Sequence, residues 1–435
     1  MSSHHFHCLG RGEGALGTWE RPDRYRFFDD FPQGRVIARG GGLSLSGAGF
    51  GEGVRAVDMR RFNRILAFDP TVPTVTAEAG ATLGRLFDFL APQGFQLAVQ
   101  PGYPDITIGG AIGGNVHGKN PRAHGCFGQW VEAIELFHPS HGPLSMSREQ
   151  NPDLFEMTIG GLGLTGVILR ARLRLVPLSA NTIRVEPRRV ATPEEAADIL
   201  KVCPPDAEHL YSWHDLAAPG RRGPGIVFVG RHEGEGERAA CLARYRPLKP
   251  GARGLLPGVL RHRAGIALVN AIQWAQWRHV RDLGVAAATF PFAATPQFFA
   301  LFGRNGFLEH QSLVPWERAS DYIDGLRDLI RRFGVTPGLM VMKPFGGNPG
   351  LLRFEGDGLS IAVEVAAGPE CLKLFAGLDQ LDAVLGCRPN IIKDARLPQA
   401  VVKAAYPEYD LFRQRLVAFD PDRLMRSILS ERIGL

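Results

Sequence analysis

The chain has 435 residues, 45% of them hydrophobic and 22% charged, and a formal net charge of +6. That length accommodates roughly two to three domains with sizeable cores, and the balance is that of a soluble globular protein. No apolar run reaches the length of a membrane-spanning helix, and no basic block is interleaved with aromatics, so no transmembrane helix and no nucleic-acid partner are expected.

The N-terminus, Met1-Ser-Ser-His-His-Phe-His-Cys8, has no basic segment followed by an apolar one, so no signal peptide is expected. His4, His5 and His7 read as a frayed, exposed end rather than as metal ligands. Cys8, Cys126, Cys203, Cys241, Cys371 and Cys387 are scattered and form no CxxC pair. Such spacing fits a reducing compartment and predicts neither a metal site nor a disulfide framework. A cytoplasmic location, peripheral to the inner membrane, is the expectation.

Residues 35–39 read as a strand entering a first glycine turn, Arg39-Gly-Gly-Gly-Leu-Ser44. Residues 54–59 and 74–79 are strand-like. Thr82 predicts a cap on a helix through Leu90, with Leu83, Leu86, Phe87 and Leu90 on one face and Gly94 beyond its end. A short strand is expected over 96–100. The chain then turns at Pro101-Gly-Tyr-Pro-Asp105 into a second glycine segment, Gly109-Gly-Ala-Ile-Gly-Gly-Asn-Val-His-Gly-Lys-Asn120. Strands are predicted over 131–138 and 166–176, the second alternating Val167, Leu169, Ala171, Leu173 and Leu175. A third cluster, Gly160-Gly-Leu-Gly-Leu-Thr-Gly166, lies between them. No GxGxxG joins a strand to a helix, so the usual dinucleotide-binding unit is not supported. Glycine does allow N–H groups to converge on an anion. Two such turns point to a cradle for a long pyrophosphate-bearing cofactor, with His117, Lys119 and Asn120 near its reactive end.

The character changes after Pro177. Thr192 and Pro193 begin a helix over 192–202. Residues 247–264 read as an irregular excursion. Residues 265–283 carry Trp274 and Trp277 beside Arg278, His279 and Arg281, the composition of an interfacial amphipathic helix. A helix over 319–333 ends at Gly334, and strands follow over 340–345 and 359–365.

With the late Lys393-Asp-Ala-Arg396, the three glycine segments and His117-Gly-Lys-Asn120 form an ordered set. That set resembles the vanillyl-alcohol-oxidase-type (PCMH-type) FAD flavoproteins, and within them the decaprenylphosphoryl-β-D-ribose 2′-oxidases. The likeness is dense over 34–178. It returns at Gly306-Phe-Leu-Glu-His-Gln311, at Lys343-Pro-Phe-Gly346 and over 393–406. The resemblance implies an α+β fold with a two-part FAD-binding domain, residues 1–178 and 388–435. Between them it implies an inserted substrate domain, 179–387, of antiparallel sheet plus helices.

On this resemblance Arg39, Gly40, Gly41, Gly42, Leu43 and Ser44 would hold the pyrophosphate of FAD. Gly102, Thr107, Gly109, Gly110, Ile112, Asn115, His117 and Gly118, with Gly163, Thr165, Gly166 and Val167, would line the ribityl chain and the isoalloxazine. Lys119, Gln311, Lys343, Phe345 and Trp213 would meet the substrate. Some relatives attach FAD to a histidine at the place of Leu43, so non-covalent FAD is expected. Leu45 and Asn390 stand where tyrosines are common, Ala362 where the mycobacterial enzymes have a cysteine, and Glu309 where relatives have a neutral residue. Inhibitors that trap that cysteine are therefore expected not to act here.

Oxidising an alcohol on a flavin sends a hydride to N5 and the hydroxyl proton to a base or solvent, with charge arriving at the N1–C2=O edge. Lys393 is the candidate for that charge, and His117 for a general base or flavin contact. The implied activity is oxidation of a secondary hydroxyl of a lipid-linked phosphosugar, such as the 2′-hydroxyl of a polyprenylphosphoryl pentose, to a keto-sugar. A short-chain reductase partner would then complete an epimerisation, and 265–283 would touch the membrane. The alternatives are an oxidase of free alditols or aldonolactones and a non-catalytic flavin-binding subunit.

Overall fold

Three large sheets carry the architecture in the computed structural model, which describes residues 3–10, 13–178, 180–202, 204, 206–218, 220, 222–233, 258–295 and 298–435. Cys203, Cys241, the boundary at 179 and most of the expected excursion over 247–264 lie outside the described residues. In the four-stranded sheet Ser3–His7, Gly14–Glu20, Arg55–Asp58 and Val36–Arg39 lie in that order, the last two pairings parallel. The five-stranded antiparallel sheet runs Ile65–Asp69, Thr74–Glu78, Val167–Arg174, Val131–His138, Gly142–Ser147. An eight-stranded antiparallel sheet runs from Arg281–Gly284 at one edge to Arg388–Pro389 at the other. The fold is α+β.

Local chemistry explains the elements that the sequence announces. The helix Leu83–Leu90 starts where Arg85 N–H donates to the Thr82 hydroxyl at 3.2 Å, and it buries the four predicted apolar residues. Gly94 follows with φ +82°. Thr192 caps Pro193–Lys201 in the same way, and Gly334, φ +65°, closes Ala319–Phe333.

Three expectations change. The N-terminal histidines sit on a strand, Ser3–His7, because Phe6 is buried and stacks 5.9 Å from Phe50. The strand expected over 96–100 shrinks to Phe95–Gln96, since the Gln100 side chain turns back to donate to Leu97 O at 3.1 Å. The helix expected over 265–283 spans Arg263–Gln276 and gives way to the strand Arg281–Gly284. Its tryptophans turn inward, with Arg189 4.5 Å over the Trp274 ring and Phe228 4.8 Å from Trp277. Leu268 and Ile272 face outward instead, 61% and 51% exposed. The 17-residue helix Pro369–Leu385 was not anticipated.

Strand alternation splits the eight-stranded sheet into two unlike faces. Leu210, Met340, Met342, Ile361 and Val363 pack against Pro193–Lys201, Ala319–Phe333 and Pro369–Leu385. Residues one step along face the other way, and Trp213, Ile226 and Phe228 join the core under the five-stranded sheet. The C-terminal helices Gln399–Ala405, Tyr409–Phe419 and Ile428–Arg432 return to the first sheet. Val36 N–H donates to Leu424 O at 2.8 Å, and Arg426 N–H donates to Val36 O at 3.0 Å.

Candidate active site

A cavity of about 420 Å³ opens at the seam between the glycine turns, the inner face of the eight-stranded sheet and the returning tail. The first turn exists because glycine permits close approach. A Cβ on Gly41 would lie 2.4 Å from Asp105 O, and one on Gly40 would lie 2.2 Å from the Thr107 hydroxyl. Gly42 has φ +72°. The N–H groups of Gly41, Gly42 and Leu43 donate to no acceptor among the described residues, although their loop lines the cavity. A row of unpaired backbone donors fits a phosphate-bearing ligand. The rest of the wall is largely apolar, with Ile106, Val116, Ile168, Tyr211, Phe292 and Ile392.

The structure brings most of the sequence-derived candidates onto this wall. Arg39, Gly40, Gly41, Gly42, Leu43, Ser44, Gly102, Thr107, Gly109, Gly110, His117, Gly118, Lys119, Gly163, Gly166, Lys343 and Lys393 all line it. Seven others stand behind it. Ile112 and Val167 are fully buried in apolar cores. Asn115 donates to Glu355 Oε1 at 2.6 Å and accepts from Gly128 N–H at 2.8 Å, and the Thr165 hydroxyl lies 3.0 Å from that of Thr158. Trp213 sits in the core beneath the sheet, and Phe345 and Gln311 back His117.

His117 is held on three sides. Its Nδ1 lies 3.1 Å from Gly118 O, which only accepts, so Nδ1 carries the proton. Nε2 then accepts from the Gln311 amide at 3.3 Å. Gln311 is itself fixed, donating to Ser360 Oγ at 2.8 Å and accepting from Asn390 Nδ2 at 2.8 Å. The Phe345 ring packs edge-on to the imidazole, centroids 5.0 Å apart. Burial, then the charges of Lys343 and Lys393, hold the His117 pKa well below its usual value. The ring is neutral, with both nitrogens engaged. Of the two roles set out for it, this geometry favours contact and positioning over proton abstraction.

Three lysines meet on the same wall. Lys343 Nζ donates to Gly118 O at 3.3 Å, and burial and Lys393 lower its pKa to about 8. Lys119 donates to Thr289 O, and burial and Lys343 lower it to about 7. Lys393 pairs with Glu309, 3.2 Å to Oε1. Glu364, directly across from Glu309 in the sheet, is pushed well above the usual carboxylate range by burial and by Glu309. The cavity gathers more cationic capacity than the Lys393–Glu309 pair neutralises.

The Lys393-Asp-Ala-Arg396 motif acquires a physical reason. While Lys393 faces the cavity, Asp394 and Arg396 enter a buried network. Arg396 meets Asp379 at 2.6 Å and Asp394 at 2.9 Å, and His310 meets Asp382 at 3.2 Å and Asp394 at 3.4 Å. Among the described residues His310, Asp379 and Asp394 are the group with metal-ligand spacing, and the Arg396 guanidinium already supplies the cation there.

Sequence reasoning did not single out Tyr211, Val341 or Ser360. Each lies two residues from a residue it did name, Trp213, Lys343 and Ala362, and so shares that residue's sheet face.

The FAD-binding domain family matches residues 31–142, a span that includes the first two glycine turns, His117 and Lys119. An uncharacterised protein from the mprA 5′ region of Streptomyces coelicolor is 31% identical over 382 residues, covering 81% of this chain and all of that protein. The decaprenylphosphoryl-β-D-ribose oxidase of Mycolicibacterium smegmatis is 28% identical over 414 residues, 92% of this chain and 89% of that enzyme. The L-gulonolactone oxidase of Mus musculus is 34% identical over 143 residues, about a third of each chain. With the row of unpaired backbone donors and the ordered motifs around it, these matches establish that the chain belongs to the PCMH-type FAD-binding oxidoreductases, using FAD to oxidise a CH–OH group.

Proposed function

We propose that this enzyme oxidises a secondary hydroxyl of a lipid-linked phosphosugar, the 2′-hydroxyl of a polyprenylphosphoryl pentose, to the keto-sugar of an epimerisation. One observation carries the reading. Likeness to the decaprenylphosphoryl-ribose oxidase spans 92% of the chain, whereas likeness to the lactone oxidase covers a third. The substrate-facing sheet is thus part of the resemblance. Bound FAD supplies the acceptor for the carbon's hydride. Gly41, Gly42 and Leu43 would hold its phosphates with their N–H groups, and Lys393, anchored by Glu309, would supply a positive charge to the flavin. Gln311 and Phe345 hold His117 in one tautomer against the sugar. Lys343 meets the phosphate, and a short-chain reductase consumes the keto product.

The test compares kcat/KM for a polyprenylphosphoryl ribose analogue with that for L-gulonolactone and free alditols. The reading expects the phosphosugar to lead and its product to lose two mass units. Preference for the lactone would sink it.

Leu43 offers no nucleophile to the cofactor, so acid precipitation of the yellow protein should leave all FAD in the supernatant. Colour retained in the pellet would contradict non-covalent binding. Because Lys343 loses its proton near pH 8, KM for the phosphosugar should climb above that pH. Lys343→Met should raise KM roughly ten- to hundred-fold at neutral pH and abolish that climb.

The outward apolar stripe of Leu268 and Ile272, flanked by the exposed Arg261, Arg263, Arg278 and Arg281, supports contact with an anionic membrane where such a lipid resides. Co-sedimentation with anionic liposomes should be strong for the native protein and weak for Leu268→Asp. Equal pelleting of the two would count against the contact.

A further inference from the structure

Lys119, with Gly118 beside it, lines two cavities: the large one and a second, polar one of about 20 Å³. The second is bordered by Gln100, His124, Glu208 and His209 and has room for one water. Its walls are short of partners. Gln100 Oε1 and His124 Nε2 are buried without a hydrogen bond among the described residues. His124 Nε2 stands 3.4 Å from Glu208 Oε2, and His232 Nε2 stands 3.7 Å from the same oxygen. The side chains of Glu208 and His124 are in turn 21% and 26% exposed to solvent.

The reaction needs a proton acceptor on the large cavity, and His117 has both nitrogens engaged. We propose that Lys119 takes the hydroxyl proton of the substrate and passes it, through one water in the small cavity, to the Glu208–His124 pair and solvent. The proposal rests on the alcohol oxidation read above. In the step, the substrate O–H and C–H bonds break and a C=O bond forms. The carbon's hydride goes to bound FAD, and the proton joins the lone pair of a neutral Lys119 amine. The resulting ammonium is returned to amine by release of that proton outward, so the next turnover starts from the same state.

The surroundings of Lys119 suit both halves of this cycle. Burial and the Lys343 ammonium lower its affinity for a proton, and Glu208 raises it. His209 and His124 face it across the small cavity, and the Thr289 carbonyl fixes the amine. With a pKa of about 7, the amine is free to accept at neutral pH.

The experiment has two arms, both on FAD-loaded full-length protein. In the first, reductive 13C-methylation and NMR follow lysine titration without substrate, and Lys119→Met identifies the resonance. A midpoint near 7, moving down in Glu208→Gln and up in Lys343→Met, is expected. A midpoint above 10 would overturn the proposal.

In the second arm, stopped-flow reduction by the phosphosugar analogue is followed across pH. Lys119→Met should reduce roughly a hundredfold or more slowly, lose the limb near pH 7 and be rescued in the smaller Lys119→Ala by methylamine. Glu208→Gln should slow reduction with substrate binding kept. Unchanged rates and pH profiles in these variants would overturn the relay while leaving the alcohol oxidation intact. If the native protein is not reduced at all, the substrate reading fails instead, and the NMR midpoint still decides whether Lys119 is the poised base.

Discussion

Gly41→Ala should purify largely without FAD, binding the cofactor ten- to hundred-fold more weakly than the native protein. The added Cβ meets Asp105 O at 2.4 Å, and a carbonyl oxygen in the backbone cannot rotate away as a side chain can. The first turn must shift against the segment that leads into Thr107, whose hydroxyl accepts from Gly110 N–H at 3.3 Å at the start of the second turn. Overpacking of this kind costs about 1–3 kcal/mol, and here the displaced atoms are the N–H groups proposed to meet the cofactor's phosphates. Gly53→Ala is the control. Gly53 has φ +63° but open space around it, so the change costs about 1–2 kcal/mol of stability without touching the cavity. Equilibrium FAD titration of both variants checks the contrast, and equal affinities would refute it.

The second large effect concerns the ion network under the tail. Burial alone would lower the His310 pKa, but the carboxylates of Asp382 and Asp394 raise it to about 9. A pKa raised on folding means stability that is complete below the unfolded value near 6.5 and is lost as pH rises through about 9. The expected loss across that window is about 3 kcal/mol. Thermal melts from pH 6 to pH 9.5 should therefore fall in the native protein and flatten in His310→Gln. Arg396→Met leaves Asp379 and Asp394 without their guanidinium, which should cost about 3–5 kcal/mol. A Tm drop of about 3–5 °C is expected for a chain of 435 residues. Melts of Arg396→Met matching the native protein would remove the structural role given to the motif.

What the sequence announced was local. The Thr82 cap, the Gly334 stop and the first glycine turn are each decided by residues a few positions apart, and the structure places them as read. The N-terminal strand was illegible because its place depends on one apolar residue, Phe6, meeting Phe50 from a distant segment. Trp274 and Trp277 have an interfacial composition, yet Arg189 and Phe228 draw them inward, leaving Leu268 and Ile272 outside. His117, Lys119 and Lys393 could be named from motifs. Their chemistry could not, because it depends on partners far along the chain: Gln311 for the tautomer, Glu309 for the ion pair, Thr289 and Glu208 for the amine. Gln311, Tyr211, Val341 and Ser360 sit on one sheet face by alternation, a signal present in the sequence once the strands are paired.

On the proposed function, a lipid-linked phosphosugar reduces the flavin of this protein. The most direct measurement is the anaerobic visible spectrum of the FAD-loaded enzyme before and after adding a polyprenylphosphoryl ribose analogue. The flavin band is expected to bleach. A band that stays with the phosphosugar and bleaches with an aldonolactone would contradict it.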